Sequence, residues 1–143
     1  MGDDDGSGSQ PGCIFCAIVA GDAPSRRIYE DDHTLAFLDI NPLTLGHSLV
    51  IPKRHSVDLH DIPEADLAAV ARSAKIVAAQ LTDRLGSDGV NLLNACGAAA
   101  WQTVFHFHMH VLPRVAGDIP FPFPQRGAAE DELEAVFNRI TGR

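Results

Sequence analysis

Two spacings of apolar residues divide this chain. From about Pro63 to Leu85 they recur at every third or fourth position, and Leu67, Val70, Ala71, Ala74, Val77, Ala78, Leu81 and Leu85 form one stripe. That spacing predicts a long helix with a single buried face. Asp61 with Glu64 three residues on reads as a capping box, Pro63 suits the first turn, and Gly86 suits the stop. Elsewhere the stretches RRIYEDD, TLAFLDI, GHSLVIPKRH, GVNLLNA and TVFHFHMHVLPR read as strands. They are rich in β-branched and aromatic residues and bounded by turn formers. Pro52 ends the third strand, because its ring nitrogen has no hydrogen to give a ladder.

Strands before and after one long helix, with hairpin-length links, predict an α+β fold with a five-stranded antiparallel sheet. CIFCAIVAG predicts a short helical turn ending near Gly21, and a second short helix runs from about Ala128 to Ile140. CGAAAWQ is a small-residue loop, and DIPFPFPQ is too rich in proline for regular structure. The opening MGDDDGSGSQPG is acidic and rich in Gly and Ser, which predicts a disordered tail over residues 1–12. Residues 13–143 then form a single domain, a length that suffices for its own core.

In TVFHFHMHVLPR, His106, His108 and His110 alternate strictly with Phe105, Phe107, Met109 and Val111. On a strand, alternate residues share a face. The three imidazoles therefore point one way and the apolar set points the other, toward the helix. Neighbouring histidines would stand about 6.6 Å apart and the outer two about 13 Å. Two of them could share a metal, but three along a straight strand could not converge on one. Burying three imidazoles without partners is costly, so that face predicts a functional site with a separate task for each ring.

Composition narrows the partners. A net charge of −8 disfavours nucleic acid, which needs clustered Lys and Arg, but leaves a small phosphorylated ligand open. No apolar run is long enough for a membrane span. Three cysteines, two of them in a C-x-x-C pair, suggest thiols in a reducing cytoplasm and not a disulfide framework. Taken alone, Cys13 and Cys16 read as small buried hydrophobes or as a redox pair, although no thioredoxin-like βαβ pattern surrounds them.

HFHMHVL matches the His-φ-His-φ-His-φ-φ signature, φ being apolar, of the histidine triad superfamily of nucleotide hydrolases and transferases. CIFCAIVAGDAPSRRIYEDD, LAFLDINPLTLGHSLVIPKRH and WQTVFHFHMHVLPR resemble three successive blocks of that family in the right order. They span Cys13 to Arg114, about 70% of the chain. The pattern is most similar to the compact bacterial members of the Hint branch. The resemblance implies a homodimer in which two five-stranded sheets join into one of ten strands.

It also implies roles. His108 matches the nucleophile, which attacks the α-phosphorus of a purine nucleoside phosphoramidate and carries a covalent nucleotidyl group. His110 and His47 match histidines that bond phosphate oxygens and support proton transfer. Gln102 and Thr103 match the pair that cradles phosphate, and Asn94 matches a pocket asparagine. Asp39 matches the carboxylate that accepts both ribose hydroxyls, although beside Asn41-Pro42 it also reads as a turn initiator. Ile14, Phe15, Ile18, Phe37 and Leu49 match the apolar slot around a purine, or are plain core. In some members Cys13, Cys16, His55 and His106 would hold a structural zinc.

Cys96, His33 and His60 fit neither scheme. One departure stands out, since Trp101 occupies a position that usually holds glycine. The loop is then differently shaped, or the indole lies over the pocket mouth and bears on the leaving group. Three other readings stay open: diadenosine polyphosphate hydrolysis by the same nucleophile, a nucleotide-binding module without turnover, and a metal hydrolase that uses His106 and His108 as a chelate.

Overall fold

A computed structural model of the chain describes residues 8–120 and 123–142. Helix α1 (Ile14–Ala20) leads into the β1 (Arg27–Glu30) and β2 (Thr34–Leu38) hairpin, and β3 (Ser48–Pro52) follows. The long helix α2 (Glu64–Leu85) precedes β4 (Gly89–Leu93), a 3-10 turn at Ala98–Ala100, β5 (Met109–Arg114) and α3 (Glu130–Thr141). The five strands form one antiparallel sheet in the order β1-β2-β3-β5-β4. This is the expected fold class.

The pleat divides the central strands between two cores. Ala36 and Val50 face α2 and pack with Val70, Ala74, Val77, Leu81, Phe107 and Val111. Their neighbours Leu35, Phe37, Leu49 and Ile51 point to the opposite face, where Phe15 and Ile18 of α1 cover them. Strands β2 and β3 are thus buried on both sides, and a cleft opens beside the smaller core.

The helical stripe differs from its prediction in detail. Ala71 and Leu85 are exposed, whereas Ser73 is fully buried. Ser73 Oγ lies 2.6 Å from Thr34 Oγ1 and donates to Asp31 Oδ2 at 3.2 Å, so a hydroxyl pair outside the predicted stripe ties helix to sheet. The capping box does not form. Pro63 is the N-cap without a side-chain bond, and Asp61 Oδ2 instead accepts from the Val57 amide at 2.7 Å. Gly86 does close the helix, in the left-handed conformation.

Asp31 fixes the β1–β2 hairpin. Its Oδ1 accepts from the amides of His33 and Thr34 and from Thr34 Oγ1, and its Oδ2 accepts from Tyr29 and Ser73. Burial opposes ionisation, but those donors outweigh it and hold the carboxyl well below the usual range. Asp31→Ala should strand several of them and cost about 2–4 kcal/mol by denaturant unfolding, whereas loss of a surface turn residue would cost under about 0.5.

The histidine strand is shorter than predicted. Ladder pairing starts at Met109, and His106 and His108 precede it in irregular backbone. Side chains occupy the carbonyls there. His108 Nδ1 donates to His106 O at 2.8 Å and Asn94 Nδ2 donates to His108 O at 2.9 Å. Phe107 and Val111 reach the α2 core as expected, but Phe105 is exposed.

Residues 1–7, most of the predicted tail, lie outside the described residues. The rest of it lies against the domain, where Gly8 O accepts from the His55 amide at 2.6 Å and the Gln10 amide donates to Cys16 Sγ at 3.3 Å.

Candidate active site

A cleft of about 830 Å³ opens between α1, β2 and the segment before β5. Phe15, Ile18, Phe37 and Leu49 form its apolar wall, joined by the exposed Ile14. Asp39, Thr103, His108 and His110 supply polar groups. All five predicted slot residues therefore line it, and four of them are also core. Arg26, Ser25 and Asn41 line it too, and none of them carries a motif that marks it as a site residue. Their signal was weak, because a lone Arg or Ser in a connecting loop resembles any solvated residue.

His108 is buried with its ring against Phe15, centroids 5.2 Å apart. A carbonyl can only accept, so the bond to His106 O places the proton on Nδ1 and a lone pair on Nε2. Burial pulls this imidazole below its ordinary pKa, and the ring is neutral at pH 7. An uncharged, fixed nitrogen with a free lone pair in a cleft is a nucleophile's arrangement. Asn94, expected in the pocket, sits behind the nucleophile and braces its carbonyl; it does not line the cleft.

His110 meets His108 edge-on, with ring centroids 4.9 Å apart, and its Nδ1 lies 2.9 Å from His47 Nε2. His47 is buried behind His110 and does not line the cleft. Its Nδ1 accepts from the Leu43 amide at 3.0 Å, and Asp39 Oδ2 lies 3.5 Å from its Nε2. Burial, with His108 and His47 nearby, lowers His110 to about 4. Gly46 carries this arm: its φ of 91° suits glycine, and a Cβ there would press on Leu85 and Pro113. Gln102 turns away from the cleft, binding Gly97 N, Val57 O and Val104 O, so it staples the loop that presents Thr103.

Next to the cleft, Cys13, Cys16, His55 and His106 bring four ligand atoms within 4.8 Å of one another. His106 Nε2 donates to Pro52 O at 2.8 Å, which aims the Nδ1 lone pair at the two sulfurs, 3.4 and 3.5 Å away. Burial raises the Cys16 thiol and lowers His106 to about 4. His55 Nδ1 lies 3.4 Å from Cys16 Sγ, and two thiols with two imidazole nitrogens form a soft, closed donor set suited to a tetrahedral ion. The rings of His106 and His108 serve different sites, and their bonds to Pro52 and His106 carbonyls oppose the chelate reading.

Trp101 adopts φ 73°, so the loop keeps the left-handed turn despite the bulky residue. Its exposed indole stacks on Phe123, centroids 5.3 Å apart at 19°, and does not line the cleft. His33 and His60 are exposed, and Cys96 is half-buried outside both clusters.

Residues 20–117 match the HIT domain family. The chain belongs to that family. Its members are nucleotide hydrolases and transferases, and the matched span includes Asp39, His47, His108 and His110, while the α1 wall of the cleft precedes it. The crystal structure of SMU.412c from Streptococcus mutans superposes with a TM-score of 0.88 at 39% identity, covering 94% of this chain and 87% of that one. A histidine triad protein from Mycobacterium smegmatis, described as zinc-bound, superposes at 0.75 with 44% identity over 92% of this chain and 96% of its own. The Arabidopsis thaliana adenylylsulfatase HINT3 is 43% identical over 76% of this chain, which spans 55% of that relative.

Proposed function

We propose that this HIT protein cleaves purine nucleoside phosphoramidates at the α-phosphate through a covalent nucleotidyl-His108 intermediate. The observation that carries the reading is the fixed ring of His108, neutral and with Nε2 unprotonated beside a purine-sized apolar wall. The nucleoside enters between Phe15, Ile18, Phe37 and Leu49, and its ribose hydroxyls donate to Asp39. His110 and Thr103 face the phosphate, with Gln102 and Asn94 acting from behind through the backbone. Nε2 of His108 forms a bond to phosphorus as the bond to the amine breaks, and the amine leaves with that electron pair and takes a proton from solvent. Water then attacks phosphorus, breaks its bond to His108 and yields the nucleoside monophosphate.

Cys13, Cys16, His55 and His106 would hold zinc, whose contribution there is structural. The zinc-bound relative and the inward lone pair of His106 support that assignment. We also read the chain as a cytoplasmic homodimer. Its thiols are free, no described helix is long and apolar enough to cross a membrane, and β4 is an edge strand with Leu92 exposed. Sedimentation at two protein concentrations tests the dimer.

The adenylylsulfatase relative favours a second arm for the assay. Incubation with an adenosine phosphoramidate, with adenylyl sulfate and with a diadenosine polyphosphate should release AMP fastest from the first. Faster release from either of the others reassigns the leaving group, and binding without AMP from any of them leaves a nucleotide-binding module.

A further inference from the structure

We propose that the backbone amide of Leu43 sets the character of the phosphate-facing histidine pair. It holds His47, and through it His110, as rings with the proton on Nε2. His110 then meets the nucleotide as a hydrogen-bond donor, and the Asp39–His47–His110 cluster is closed to metal ions. The inference deepens the nucleotide-hydrolase reading and rests on it only for what His110 faces.

The chain of constraint starts at the backbone. An amide N–H can only donate, so the 3.0 Å contact from Leu43 to His47 Nδ1 requires a lone pair on that nitrogen. A neutral His47 then carries its proton on Nε2. That proton has two acceptors, His110 Nδ1 at 2.9 Å and Asp39 Oδ2 at 3.5 Å, and the nearer fixes the next ring. His110 Nδ1 accepts, so its own proton sits on Nε2. Burial holds both rings below the ordinary imidazole range, which keeps them neutral and the pattern intact. His47 is therefore a positioning residue, acting on the phosphate through His110.

The same logic separates two clusters that look alike as donor sets. Asp39, His47 and His110 bring ligand atoms within 4.8 Å of one another, as do Cys13, Cys16, His55 and His106. A metal on His47 Nε2 would need that lone pair, pushing the proton to Nδ1 against the Leu43 N–H. Behind His106 stands a carbonyl instead, Pro52 O at 2.8 Å, which takes the Nε2 proton and turns Nδ1 toward the sulfurs. A carbonyl behind one ring makes a ligand, and an amide behind the other makes a donor.

Two-bond ¹H–¹⁵N correlation spectra of the zinc-loaded full chain at neutral pH read these tautomers without reference to activity. The expected result is Nε2–H on His47 and His110, with Nδ1–H on His108. His47→Leu, which removes the donor, should shift His110 toward Nδ1–H and lower kcat about tenfold or more with KM changed less. His47→Gln, whose side-chain amide can donate, should restore the His110 pattern and part of kcat. Titration with zinc alone should show no equivalent lost in His47→Leu. Nδ1–H on His110 in the native chain, an unaltered His110 in His47→Leu, or a zinc equivalent lost with His47 would each overturn the proposal. If the spectra are as expected but no nucleotide is cleaved, the tautomer assignment stands and the hydrolase reading is what fails.

Discussion

His108→Asn should lower turnover of an adenosine phosphoramidate by about 10⁴-fold or more while nucleotide affinity changes only a few-fold. The asymmetry follows from the geometry. The apolar wall and Asp39 hold the nucleoside without help from His108, but no other described group offers an unprotonated, neutral nitrogen in the cleft. His110 cannot substitute if its own Nε2 carries a proton. The native enzyme has a second signature. Burial lowers the His108 pKa, so the ring stays neutral below pH 6.5, where free imidazole is already half protonated. The acid limb of kcat/KM should therefore begin below pH 6.5 and not at it. Wild-type turnover by the variant, together with failure to trap a nucleotidyl adduct on His108 by mass spectrometry, would refute covalent catalysis.

Removing metal from the Cys13–Cys16–His55–His106 cluster should lower Tm by roughly 10 °C or more, and Cys16→Ser should do the same without chelator. The cluster joins α1, the segment after β3 and the approach to β5, so its loss releases three elements at once. Activity should fall with stability, because the His106 carbonyl also orients the nucleophile. In the metal-free chain, burial leaves His106 at about 4 against an unfolded value near 6.5. A lowered folded pKa means that the unfolded state binds the proton first. This residue's contribution is complete above pH 6.5 and is lost as pH falls toward 4. A chelator that leaves Tm unmoved would show that the four residues hold no structural ion.

Much of the architecture was legible because it rests on periodicity. The α2 stripe, the five strands and the Gly86 stop follow from spacing that any core enforces. The cleft was legible through a motif that places His108, His110 and Asp39 in order. What stayed hidden depends on partners distant in sequence or on the backbone. Ser73 is buried because Thr34 and Asp31 meet it, 39 and 42 residues away. Asn94 and Gln102 carry the right side chains for a phosphate pocket, yet the structure uses both to hold main chain. The Leu43 amide could not be read at all, since a backbone donor has no sequence signature. The early start predicted for the histidine strand has the same origin, because its carbonyls are claimed by side chains instead of a neighbouring strand.

The chain's one tryptophan occupies the left-handed turn just ahead of Gln102 and Thr103. Holding a bulky residue in that conformation costs roughly 1–2 kcal/mol, and its stacking on Phe123 offsets part of this. The protein therefore carries an intrinsic fluorophore two positions from the cleft wall, with no competing indole. Its emission gives a label-free optical readout of that loop and of the carboxy-terminal segment stacked on it.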